Sequence, residues 1–147
     1  MLQNPLEKSV LSTVNYFDLY DYPLTSFEIY KFLYQPKTDC DLLQIENTLN
    51  TLVNNKTLTF AEGFYFLPNR QTIIKTRKDH YLLAEEKLKK SWPYLKLISK
   101  VPFVKAIFIC NDLAYLNAHK KSDIDLAIIT SKNKIWTARF ITASLMK

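Results

Sequence analysis

A single glycine, Gly63, stands in a chain of 147 residues, and that scarcity limits the fold more than any other feature. Glycine enters left-handed backbone at no steric cost, so loops that wrap a phosphate with successive backbone amides need several of them close together. A P-loop or a glycine-rich dinucleotide turn is therefore excluded. One glycine does permit one tight turn. Leu58 and Phe60 precede Ala61-Glu62-Gly63, and Phe64 and Phe66 follow it. That alternation predicts a β-hairpin with the glycine in its turn.

The length suits one ordinary domain or two small ones. With 48% hydrophobic and 14% aromatic residues, the chain can fill a core. Charge argues for two units. Residues 1–68 hold four basic and eight acidic residues, a net −4, and residues 69–147 hold sixteen basic and six acidic, a net +10. Any polyanion belongs with the second. The N-terminus has no charged-then-apolar leader and no run is long enough to span a bilayer, so a cytoplasmic protein without a membrane partner is expected. Cys40 and Cys110 lie far apart and form no CxxC pair. Free thiols are expected rather than a zinc site.

Three helices are predicted ahead of the hairpin. Asn4-Pro5 reads as a helix start with proline at the first helical position. Leu6, Val10, Leu11, Val14 and Phe17 then recur at helical spacing, and Asp21-Tyr22-Pro23 breaks the pattern. Thr25-Ser26-Phe27-Glu28 fits a capping box. The helix it opens has Phe27, Ile29, Tyr30 and Leu33 as its expected buried side. Pro36 to Asp39 is a turn, and a third helix sets Leu42, Ile45, Leu49, Leu52 and Val53 on one face before Asn54-Asn55-Lys56 ends it.

Three short helices and a hairpin over residues 1–68 predict a winged helix-turn-helix. Such a domain commonly reads DNA through its third helix. Here the stretch from Asp39 to Asn55 carries Asp39, Asp41 and Glu46 and no Lys or Arg, so phosphates would be repelled. Arg70 and Lys56 near the wing are too few to compensate. A structural or protein-contact role is expected, with duplex DNA an unlikely partner.

Residues 69–100 read as a long helical connector. Ile73, Ile74, Tyr81, Leu82, Leu88, Trp92 and Leu95 form its expected apolar side, and Lys75, Arg77, Lys78, Lys87, Lys89, Lys90 and Lys96 a solvated basic one. Pro93 should kink or restart it. His80 and His119 have no sequence partner marking them as base or ligand and are expected to face solvent. From residue 101 the pattern changes. Phe103 to Cys110 reads as a buried strand, Asn111 to Ala118 as a short helix or turn, and His119-Lys120-Lys121 as a polar loop. Ser122-Asp123-Ile124-Asp125-Leu126-Ala127-Ile128-Ile129-Thr130 follows as a strand with an acidic entrance. Strand residues two apart share a face, so Asp123 and Asp125 would lie side by side with Ile124 turned into the core. Two such carboxylates suit hard divalent cations, which keep water and phosphate oxygens as their other ligands. A final helix begins at Lys132, with Ile135, Trp136, Phe140, Ile141 and Leu145 apolar. Its exposed apolar side predicts a partner subunit or a continuation beyond Lys147.

The run Phe108-Ile109-Cys110-Asn111-Asp112-Leu113-Ala114-Tyr115-Leu116-Asn117-Ala118, followed by Ser122-Asp123-Ile124-Asp125-Leu126, resembles the polymerase-beta-type nucleotidyltransferases. In that family a strand, a Gly-Ser turn into a short helix and a loop lead to a strand bearing Asp-x-Asp. Tyr16-Phe17-Asp18-Leu19-Tyr20-Asp21-Tyr22-Pro23-Leu24-Thr25, Gly63-Phe64-Tyr65-Phe66-Leu67 and Ile135-Trp136-Thr137-Ala138-Arg139 look like a bacterial subgroup with a winged helix ahead of the transferase fold. The resemblance implies an α+β chain: a winged helix at 1–68, a helical connector at 69–100 and the N-terminal part of a nucleotidyltransferase α/β core at 101–147. It also implies transfer of a nucleoside monophosphate from a nucleoside triphosphate to an acceptor. Asp123 and Asp125 would be the catalytic residues holding two Mg²⁺ ions. Asn111, Asp112, Ser122 and Lys121 would lie at the nucleotide, with Lys120 also near phosphate, and the helix from residue 111 would offer its N–H groups.

Two departures count against catalysis in this chain. Asn111-Asp112 stands where the family has Gly-Ser, and an ionised aspartate accepts hydrogen bonds but donates none. The family's third carboxylate, on a later strand, has only Asp112 as a poor substitute. The alternatives are a non-catalytic module that binds protein, nucleotide or RNA, and, less favoured, a winged-helix DNA regulator.

Overall fold

The computed structural model describes residues 4–36 and 39–145. The protein is mixed α+β, with six helices and two small antiparallel sheets among the described residues. It divides into two compact units, Met1–Lys78 and Asp79–Lys147.

In the first unit, α1 (Pro5–Asp18) starts where Asn4 Oδ1 accepts the Leu6 N–H at 3.2 Å. The box that opens α2 (Ser26–Lys31) closes both ways: Thr25 Oγ1 accepts the Glu28 N–H at 3.3 Å, and Glu28 Oε2 accepts the Thr25 N–H at 2.9 Å. A second box, made by Asp41 and Gln44, opens α3 (Leu42–Asn54). The predicted turn before it falls partly on residues 37–38, outside the described residues. Val10, Val14, Leu24, Ile29, Ile45, Leu49, Leu52 and Leu58 form one buried cluster. Phe27 and Tyr30, expected inside, are 59% and 40% exposed. At 100° per residue they point well away from Ile29, and a helix of six residues has only one inner side.

The hairpin pairs β1 (Thr59–Ala61) with β2 (Phe64–Phe66) in the register Phe60↔Tyr65. Its two turn residues both have positive φ, 52° at Glu62 and 84° at Gly63. That backbone matches the right-handed twist of the flanking strands. Leu24 adds a bridge, giving its N–H to the Tyr65 carbonyl at 3.1 Å and accepting the Tyr65 N–H at 2.7 Å.

Helix α4 (Thr72–Ser99) runs through the unit boundary. Pro93 sits inside it and does not restart it. The expected single apolar side is absent. Ile73 and Ile74 pack with Phe66, Ala84 packs with Leu113 and Ala118, and Tyr81, Leu82 and Trp92 are exposed. The two ends of one helix serve different cores, so no one stripe is buried along its length.

In the second unit β3 (Val104–Ile109) pairs antiparallel with β4 (Leu126–Thr130), joined through α5 (Asn111–Ala114) and a loop. The register runs Ile109↔Leu126, Phe108↔Ala127, Ile107↔Ile128 and Ala106↔Ile129, with an irregularity between Val104 and Ala106. Helix α6 (Ile135–Leu145) buries Ala138 and Thr142 and exposes Ile135, Trp136 and Phe140. Residues 146–147 of the predicted helix lie outside the described residues. No described helix is long and apolar enough to cross a membrane.

Candidate functional site

The acidic tripeptide lies just ahead of β4, not within it. The strand begins at Leu126, yet the ladder has one further rung, since the Cys110 N–H donates to the Asp125 carbonyl at 2.9 Å. Asp125 is thereby tied to the end of β3, where α5 begins. Ile124, expected in the core, is 38% exposed. Without ladder partners on both sides, nothing turns it inward.

Two side-chain bonds join this segment to α5. Asn111 Nδ2 donates to Asp125 Oδ2 at 2.7 Å, and Ser122 Oγ donates to Asp112 Oδ2 at 2.9 Å. The loop returns onto the same serine through the His119 N–H, 2.9 Å from Ser122 Oγ. The Asn117 N–H also bonds the Asp112 carbonyl at 2.8 Å. Four of the residues singled out from sequence, Asn111, Asp112, Ser122 and Asp125, therefore form one bonded group. Asp123 is exposed, two residues before Asp125, with no hydrogen bond or ion pair among the described residues. Lys121 and Lys120 are exposed in the loop. The Lys121 side chain is not brought into the group.

Asn111 has φ 55°. Apart from glycine, Asn and Asp enter that left-handed region most readily. Asn111 is thus of a residue type that takes this backbone at low cost. The Asp112 carboxylate is held by the Ser122 hydroxyl. Helix α5 is a single turn whose N-cap, Cys110, makes no side-chain capping bond.

Helix α4 contributes groups that spacing did not reveal. Lys87 Nζ donates to the Lys120 carbonyl at 3.2 Å and also to the Ser122 carbonyl. It was expected in a solvated basic face, and it instead holds the loop that carries the acids. His80, expected to face solvent, is half-buried, with Nδ1 2.8 Å from Asn117 Oδ1 and its ring 4.2 Å from that of His119. His119 itself is exposed. The available signal was the helical series His80, Ala84, Lys87 and Ser91, with small Ala84 fully buried where α4 meets Leu113 and Ala118.

Among the described residues no three of His, Cys, Asp and Glu are grouped to hold a metal ion. The donor set is the Asp123 and Asp125 pair, with one oxygen of Asp125 already accepting from Asn111. Cys40 and Cys110 are both free. A separate apolar cleft of about 400 Å³ lies between α4 and β3, lined by Trp92, Leu95, Lys96, Val104 and Ile107 among others, and neither aspartate borders it. In the first unit Arg70, a candidate phosphate contact, is engaged by Asp18 at 3.2 Å and Asp21 at 2.6 Å. No family model, curated protein or solved structure matches this chain.

Proposed function

We propose that this chain is a nucleotidyltransferase-like protein of the polymerase-beta type, carrying a winged helix-turn-helix ahead of the N-terminal part of the transferase core. The observation that carries the reading is the closure of α5 onto the acidic segment by the Asn111–Asp125 and Ser122–Asp112 hydrogen bonds. The positive φ at Asn111 supports it, because the turn retains the backbone a phosphate-approaching glycine would supply. The Leu24–Tyr65 bridge, which adds a third segment to the hairpin, supports the winged-helix part.

Two exposed aspartates at i and i+2 fit hard divalent cations that take their remaining ligands from water and triphosphate oxygens. Asp123 and Asp125 would hold Mg²⁺, whose chemistry there is neutralisation of triphosphate charge and activation of an attacking oxygen. This chain's own residues do the positioning. Asn111 orients Asp125, Ser122 donates to Asp112 and so fixes its carboxylate, and Lys87 fixes the loop. The acceptor is a hydroxyl or phosphate group, and the setting is the cytoplasm, where Mg²⁺ and nucleoside triphosphates are abundant.

A second reading, nucleotide binding without transfer, is favoured by one feature: no third acid joins the pair among the described residues. Titration of a fluorescent ATP analogue with and without Mg²⁺, beside pyrophosphate release from each of the four triphosphates, separates the two. Mg²⁺-dependent binding lost in the Asp123→Ala/Asp125→Ala variant is expected under both. Pyrophosphate release selects transfer. Binding that ignores Mg²⁺ and both aspartates refutes the assignment.

A further inference from the structure

The acids of the first unit fall into two sets. Asp18 and Asp21 meet Arg70, Glu28 meets Arg77 and Glu62 meets Lys78. Glu7, Asp39, Asp41 and Glu46 have no such cation among the described residues. Three of these four lie on or just ahead of α3, which has no lysine or arginine of its own. Lys31 closes α2 over the Phe32 ring, and Lys56 follows the far end of α3. Uncompensated negative charge is thus gathered at the start of α3.

Glu46 is half-buried where three elements meet. From α2, the Ser26 hydroxyl donates to its Oε1 at 3.4 Å, a long bond. From the hairpin comes Tyr65, whose phenol is pushed above its ordinary value by burial and then by the Glu46 charge. The Leu24–Tyr65 bridge accounts for the meeting, because Ser26 stands two residues beyond Leu24. A carboxylate has about four acceptor sites, so one long bond leaves most of its capacity unused.

Exposed apolar side chains flank this carboxylate. The Phe60 ring lies 4.7 Å from that of Tyr65, and Phe27 directly follows Ser26. Leu43 is one turn before Glu46 on the same side of α3. Phe60 and Leu43 are 51% and 65% exposed. A planar guanidinium suits such a place, since it can fork onto the carboxylate and lie against a ring. The first unit already makes this arrangement internally, with Arg77 forked onto Glu28 and lying over Tyr22 and Phe64.

We propose that the face formed by the start of α2, by α3 and by the hairpin docks an arginine-bearing segment of a partner protein. The guanidinium sits on Glu46, and apolar neighbours of the arginine cover Phe27, Leu43 and Phe60. Asp39 and Asp41, exposed at the entry to α3, form an acidic rim that steers a basic segment and repels phosphates. The inference rests on the first unit alone and is independent of the transferase reading.

Selection of displayed random peptides, about twelve residues long, on the immobilised full chain tests it. Enriched peptides are expected to share an arginine beside an apolar residue. For a synthetic peptide of that kind, Glu46→Gln keeps the shape, removes the charge and should raise the dissociation constant about 10- to 100-fold. Phe60→Ala should raise it at least about 5-fold, and lysine in place of the peptide's arginine should also weaken binding. Glu7→Gln should change nothing, and the far-ultraviolet circular dichroism of Glu46→Gln should match that of the parent. Enriched peptides without arginine, or equal binding by Glu46→Gln, overturn the proposal. Displacement of the peptide by duplex DNA, or self-association that Glu46→Gln abolishes, would assign the face to another occupant and overturn it equally.

Discussion

Replacing Arg77 should loosen the first unit more than any other single change to a charged residue. Its guanidinium meets Glu28 with two bonds, Nη1 to Oε2 at 3.0 Å and Nη2 to Oε1 at 2.6 Å, and Nη1 also donates to the Pro23 carbonyl. The plane lies over the Tyr22 ring, 4.1 Å from its centroid, and over the Phe64 ring at 4.6 Å. One side chain thus ties the start of α4 to the α2 cap, to the link before α2 and to the hairpin. Removing one partner of a buried pair costs about 3–5 kcal/mol. The side chains of Arg77 and Glu28 keep 15% and 21% exposure, which points to the lower end. Each ring contact adds about 0.5–1 kcal/mol. Arg77→Ala should therefore cost about 4–5 kcal/mol, a large part of a small domain's stability. The midpoint should fall by at least about 16 °C, taking about 4 °C per kcal/mol. Arg77→Lys keeps the charge but not the fork or the stacking, and should lose about half as much. Near-ultraviolet circular dichroism of the tyrosines during urea unfolding reads the change, because both tryptophans, Trp92 and Trp136, lie beyond residue 78. A loss under about 0.5 kcal/mol would mean the pair behaves as an exposed one. Equality of the lysine variant with the parent would show that the planar fork contributes nothing.

Other consequences are as direct. Burial alone would raise the Glu28 carboxyl, but the hydrogen bonds from Arg77 and Thr25 and the charge of Arg77 outweigh it and leave its pKa lowered. Stability from this group is present above the ordinary pKa of 4.5 and lost as pH falls through the lowered value; an acid titration of Arg77→Ala should be flatter there than that of the parent. Burial pushes the Tyr22 phenol up to about 12 from 10.0. Its contribution is complete below pH 10 and declines towards pH 12, and Tyr22→Phe should flatten that alkaline limb in a pH series of urea midpoints. Gly63→Ala meets no atom within 4 Å, so its cost is backbone strain alone, about 1–2 kcal/mol at φ 84° by thermal unfolding. Asn111→Ala removes the amide from Asp125 at a positive-φ position, whereas Asn111→Gly relieves the backbone and still loses the bond; Mg²⁺-dependent binding of the ATP analogue should fall in both, and the midpoint only in the alanine variant.

What the sequence made legible was local. Asn4, Thr25 with Glu28, and Glu62-Gly63 each act within four residues of themselves, so their spacing alone announces a cap or a turn. The second capping box, Asp41 with Gln44, obeys the same rule in less usual letters. Contacts across longer separations left no trace. Arg77 finds Glu28 across 49 residues, Leu24 bridges Tyr65, and Lys87 reaches the Ser122 carbonyl across 35. In each case the chain shows a basic or apolar residue of ordinary type, and only the fold selects its partner. The site was legible to the same degree. Its residue types stood out in series, yet the Ser122–Asp112 hydrogen bond depends on the loop folding back, which no local pattern encodes.

The strands explain why burial beyond residue 101 differs from what the sequence suggests. Ile107, Phe108, Ile109 and Leu126 to Ile129 are apolar without alternation, and a run of that kind belongs to a strand covered on both faces. Among the described residues the face bearing Ile107 and Ile109 borders the cleft beside α4, while the face bearing Phe108 and Ile129 stays half open.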